Sequence, residues 1–74
     1  MADQYIDARA DLNPIPILQA GAALRAAEDG QSVELVTAGF RMEADVLAWV
    51  EDMGFDLKET VRDPDGSTHF VIVK

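Results

Sequence analysis

Apolar residues in this chain change twice from a repeat of two to a repeat of three and four, and that double change restricts the fold more than any other feature. Gln4-Tyr5-Ile6-Asp7-Ala8 alternates as a short strand with Ile6 and Ala8 inward, behind a tail of Met1 to Asp3. From Pro14 to about Asp29, Ile17, Ala20, Leu24 and Ala27 fall at helical spacing, with Leu18 and Gly21 beside them. Gly30 is placed to end that helix, and the small Ala20 and Gly21 are expected to let it lie close to a sheet. Ser32 to Thr37 alternates again, with Val33 and Leu35 on one face and Glu34 and Val36 on the other. After the loop Ala38-Gly39-Phe40-Arg41, the stripe Met42, Val46, Val50 and Met53, flanked by Leu47 and Trp49, predicts a second helix closed by Gly54. Phe55 to Arg62 alternates with Phe55, Leu57 and Val61 inward. Asp63-Pro64-Asp65-Gly66 suits a tight turn into a last strand, Thr68 to Val73, so the final two strands form an antiparallel hairpin.

The order is therefore β-α-β-α-β-β. Right-handed crossovers between parallel strands place both helices on one face, which predicts an α/β (α+β) two-layer sandwich with a mixed four-stranded sheet. Strands that alternate, rather than run continuously apolar, leave the other face of the sheet to solvent. On that open face Tyr5, Val36, Val71 and Val73 are expected to point outward together, a candidate interface for a protein partner or for self-association.

Length and charge narrow the function. Seventy-four residues with 49% hydrophobic content make a single domain, 1–74, with one modest core. Fourteen acidic residues against six basic ones give a net charge of -8, which opposes direct nucleic-acid and anionic-membrane binding. No apolar run approaches the roughly 20 residues of a membrane span, and a cytoplasmic setting is expected. The chain has no cysteine, so it has no disulfide, no thiolate metal site and no thiol nucleophile. No phosphate-binding loop, dinucleotide fingerprint or serine-hydrolase elbow is present, and no cofactor is expected.

The most informative motif joins the first strand to the first helix. Asp7-Ala8-Arg9, then Asn13-Pro14-Ile15-Pro16, combines an extended segment, a turn and a helix start, with Asn13 placed as a side-chain N-cap and Pro14 suited to the first helical position. This stretch resembles the D-x-R-G-x-x-C-P-x-P opening of the TusA/SirA-like sulfur-carrier family. The similarity continues through Leu18, Ala23-Leu24, Gly30, Thr37, Asp45-Val46, Trp49, Gly54, Leu57 and Phe70 to Lys74. It implies a sheet in which the last strand lies between the second and third, antiparallel to the others. It also implies a site residue, the cysteine before the first proline, which accepts sulfur as a persulfide from a cysteine desulfurase and passes it to partner proteins, as in transfer RNA thiolation.

Here that position is Asn13. A thiol at a helix N-terminus ionises readily and attacks as thiolate, whereas a carboxamide neither ionises nor holds a sulfane sulfur. Other departures from the family pattern are Ala10 where the family has glycine, Ala38-Gly39 where it has Asp-Pro, and Phe55 where it has histidine. The expected function is accordingly a non-catalytic, protein-binding or regulatory module, with partners in sulfur trafficking or in another pathway. Two alternatives stand beside it: a sulfur carrier whose cysteine has been exchanged artificially, and a small-anion binder using Arg9, Asn13 and Arg41 at the helix N-terminus. His69, the only histidine, reads as a surface residue on the outer face rather than a metal ligand, and no metal site is expected.

Overall fold

The computed structural model describes residues 2–74; Met1, at the start of the expected tail, lies outside the described residues. Six elements follow in the expected order: β1 (Gln4–Asp7), α1 (Ile15–Ala26), β2 (Ser32–Ala38), α2 (Glu43–Met53), β3 (Asp56–Arg62) and β4 (Ser67–Val73). The sheet runs β1-β2-β4-β3, with β1 parallel to β2 and β4 antiparallel to both β2 and β3. Ala20 and Leu24 of α1 and Val46 and Val50 of α2 pack with Val33, Leu35, Phe70 and Ile72 from the inner face of the sheet. Phe70, Ile72, Val33 and Leu35 are fully buried, each contributing about 1.5–3 kcal/mol of apolar transfer relative to exposure.

Three local readings are corrected by this packing. α1 stops at Ala26, short of Asp29, because Ala27 turns extended and the Lys74 ammonium takes the Ala27 and Arg25 carbonyls at 2.7 and 3.2 Å. Gly30 serves the turn that follows, where its N–H donates to the Lys74 carbonyl. Gly21 faces α2 rather than the sheet: a Cβ there would sit 3.4 Å from the Trp49 ring. Val61, expected inward, is on the open face and 45% exposed, because the β3–β4 register slips between Leu57 and Glu59. Leu57 pairs with Ile72 but Glu59 pairs with Val71, so the extra residue at Lys58 reverses the alternation beyond it.

Gly54 closes α2 as expected, with φ of 75° and its N–H directed to the Val50 and Glu51 carbonyls. Met53, the last residue of that helix, is exposed rather than part of the buried stripe. No helix among the described residues is long and apolar enough to cross a membrane.

Candidate functional site

The turn between β1 and α1 and the loop between β2 and α2 meet at one end of the sheet. Parallel pairing of β1 with β2 directs both strand ends the same way, and the Ala8 N–H extends the ladder by donating to the Val36 carbonyl at 2.8 Å. The Gly39 carbonyl accepts the buried Thr68 hydroxyl at 2.7 Å and the Thr37 hydroxyl at 3.4 Å, which ties the second loop to the sheet. Between the two segments lies a cavity of about 240 Å³, lined by Arg9, Leu12, Asn13, Ala38, Arg41 and Met42 among others.

Asn13 does not cap α1 through its side chain. The helix starts one residue later than expected, with Pro14 at the N-cap, and no side-chain cap hydrogen bond forms. The Asn13 Nδ2 instead donates to Asp45 Oδ2 in the first turn of α2 at 3.0 Å. The residue standing at the thiol position therefore ties the starts of the two helices together. Asp45, with Glu43, also places negative charge where the α2 dipole is positive.

The start of α1 offers little to an anion. Pro14 and Pro16 have no N–H, and the Ile15 N–H is already donated to the Leu12 carbonyl at 2.8 Å, which leaves Ile17 as the first-turn donor. Arg9 is committed as well, since its Nε and Nη2 donate to the two Asp7 carboxylate oxygens at 2.9 and 2.7 Å. This fork, together with the Arg9 N–H on Oδ1, holds the Asp7 carboxyl down to about 2 and raises the guanidinium further above its usual range. Arg41 is exposed on the cavity wall.

Large apolar side chains surround this end without being buried. Leu12 is 83% exposed and Phe40 is 65% exposed, and Ile15 is exposed beside them. Phe40 is held in place from below: the Arg62 guanidinium lies 5.4 Å from its ring centroid while donating to both Glu43 carboxylate oxygens at 3.0 and 3.1 Å.

The open face of the sheet carries a cluster that sequence reading missed. His69 is half-buried, not a free surface residue: Nδ1 is 2.8 Å from Glu34 Oε2 and Nε2 is 2.6 Å from Asp63 Oδ2. Ionised carboxylates accept hydrogen bonds and carry negative charge, so one beside each ring nitrogen favours the imidazolium, with Nδ1–H donating to Glu34 and the Asp63 charge paired at Nε2. The Glu34 hydrogen bond, aided by the Asp63 charge and opposed by desolvation, raises the His69 pKa. Ser67 Oγ is 3.5 Å from Nε2, which brings a serine, a histidine and a glutamate into one chain. That chain is not a hydrolase triad. Ser67 is buried and donates its hydroxyl to Asp65 Oδ1 at 2.7 Å, and Asp63 takes the ring nitrogen a base would use. Glu34 and His69 alternate outward in the sequence, but only the β2–β4 register and the Asp63 turn bring their partners together.

Val36 also differs from expectation. It lies on the outer face but is only 1% exposed, because Asp7 and His69 flank it in the cross-strand row and their ion pairs fill that end of the face. Tyr5 is 58% exposed, and Val71 and Val73 are half-buried. Among the described residues no group of histidine or carboxylate side chains is arranged to hold a metal ion.

The architecture, with a strand–turn–helix site at one end of a mixed four-stranded sheet, is that of a small two-layer α/β domain. The model of the TusA sulfurtransferase family matches residues 4–74, and the chain belongs to that family. Its fold is similar to the crystal structure of a SirA-like protein from Desulfitobacterium hafniense, with a TM-score of 0.84, 27% sequence identity and coverage of 95% of each chain. None of the curated proteins matches the chain significantly. The family is one of sulfur carriers, and this member has no cysteine with which to carry sulfur.

Proposed function

We propose that this chain is a non-catalytic, cytoplasmic member of the TusA family that works by binding a protein partner rather than by relaying sulfur. The observation that carries this reading is Asn13: the position of the family's persulfide thiol holds a carboxamide engaged with Asp45, and no other residue supplies a thiol. Loss of the nucleophile removes the transfer step but leaves the surface around it. Leu12 and Phe40 project from two separate loops beside the cavity, and Arg62 holds Phe40 in position. An exposed aromatic side chain that is already held, as Phe40 is by Arg62, costs little order on binding, which favours a docking role. The acidic balance argues against nucleic acid as the direct partner, and no cofactor is needed for a binding role.

The test is quantitative affinity capture from the native cell with the unaltered chain and with Leu12→Glu and Phe40→Glu, each checked for folding by its amide NMR spectrum. At least one protein retained in near-stoichiometric amount and lost with both variants is expected. Equal retention of every captured protein by the variants, or no retained protein, contradicts the proposal.

A further inference from the structure

The face of the sheet opposite the helices has an order that is visible only in its register. Across β1, β2, β4 and β3, one row reads Tyr5, Glu34, Val71, Glu59. The next row reads Asp7, Val36, His69, Val61. Val73 extends the apolar floor beside Val71, toward Ser32 on β2. The outer face therefore carries Tyr5, Val61, Val71 and Val73, with a carboxylate on each side of Val71 at one strand spacing, about 5 Å. A shallow cavity of about 520 Å³ opens over this region, lined by Ser32, Glu34, Lys58, Glu59, Val71 and Val73 among others. The β-bulge at Lys58 is what brings Glu59 and Val61 to this face, so the feature depends on an irregularity in β3.

Charge selects among occupants. Glu34 is shared with His69, but among the described residues Glu59 makes no hydrogen bond or ion pair and Lys58 is the only cation on the cavity wall. A second copy of this chain would set a face of the same negative sign against this one, on a body that already carries a net charge of -8. A cationic partner meets complementary charge instead. Dimensions favour a helix: seven-residue strands span roughly 23 Å, the length of about 15 helical residues, and a sheet face covered by a helix is the ordinary way a third layer is added.

We propose that the open sheet face docks a basic amphipathic helix of a partner protein, its apolar side chains lying on Tyr5, Val61, Val71 and Val73 and its Lys or Arg side chains reaching Glu59 and Glu34. This goes beyond the docking role of the Leu12 and Phe40 end and stands independently of it. The domain then has two separate contact surfaces and joins two partners.

The test uses an 18-residue amidated peptide with leucine on one helical face and lysine on the other, and a control peptide with glutamate in place of lysine. Amide shifts on titration should gather at Tyr5, Glu34, Glu59, Val61, Val71 and Val73. Affinity should fall at least tenfold in Glu59→Lys and change less than twofold in Glu51→Lys, which alters net charge equally from an exposed position on α2. Equal weakening in the two variants would reduce the effect to net charge and overturn the proposal. So would shifts centred on Leu12 to Ile17, equal binding of the control peptide, or a dimer formed through this face without peptide.

Discussion

Replacing His69 by Gln removes the positive charge from the middle of the Glu34–His69–Asp63 chain while keeping a polar side chain of related reach. The Glu34 contact is a hydrogen bond between charged groups, worth about 1.5–3 kcal/mol when shielded, and the Asp63 contact adds an ion pair. The side chains are 23% exposed at His69, 25% at Glu34 and 38% at Asp63, so solvent screening lowers the total to about 1–2 kcal/mol. With a urea dependence of about 1 kcal/mol per molar for a domain this small, the unfolding midpoint of His69→Gln should drop by about 1–2 M.

The sign of the pH dependence follows from the raised folded-state pKa of His69. Stability from the imidazolium is fully present below the unfolded value of about 6.5 and is lost as pH rises through the higher folded value. The gap between the unaltered chain and His69→Gln should therefore be widest near about pH 5.5, above the carboxylate range, and close at alkaline pH. Asp7 and Asp65 lie nearby and keep their charge across this window, since both carboxyls are held below their ordinary range. Urea titrations of both proteins across this range provide the assay. A gap independent of pH, or one that widens toward alkaline pH, would refute an imidazolium held between two carboxylates.

Other consequences are more local. Phe70→Ala empties the centre of the core and should cost about 3–5 kcal/mol, measured by urea unfolding. Gly54→Ala meets no neighbouring atom but forces a left-handed backbone on a residue with a Cβ; a loss of about 1 kcal/mol, read as a fall of roughly 4–8 °C in Tm, is expected. The Asp7 carboxyl, followed by its carbon chemical shift, should stay ionised down to about 2. Arg9→Gln should move that titration toward the ordinary value of about 3.9, stopping short of it because the backbone N–H of residue 9 still donates to the carboxylate.

Fold and site were legible in the sequence to different depths, for physical reasons. The change of apolar period is a local property, and Val33, Leu35, Val46, Val50, Phe70 and Ile72 are buried where that period places them. Gly54 was readable because a helix end that needs positive φ selects glycine. Val61 was not, since the slip at Lys58 belongs to the pairing of β3 with β4 and leaves no mark in the composition of β3. Asn13 is of a residue type strongly preferred at helix N-caps, yet its amide is taken by Asp45, 32 positions away in the chain. His69 reads as a surface residue for the same reason: Glu34 is 35 positions away. Local preference therefore located the strand–turn–helix site, whereas the partners of its side chains had to come from the tertiary structure.

On the proposed reading, Asn13 ends sulfur relay in this member of the family while the scaffold persists. Incubation of the purified chain with a cysteine desulfurase and isotopically labelled cysteine, followed by intact mass measurement, addresses it directly. Asn13→Cys treated with inorganic polysulfide marks the mass of the persulfide form. The unaltered chain is expected to gain no sulfur under conditions that load a cysteine-bearing carrier. A gain of one labelled sulfur atom on the unaltered chain would overturn that reading.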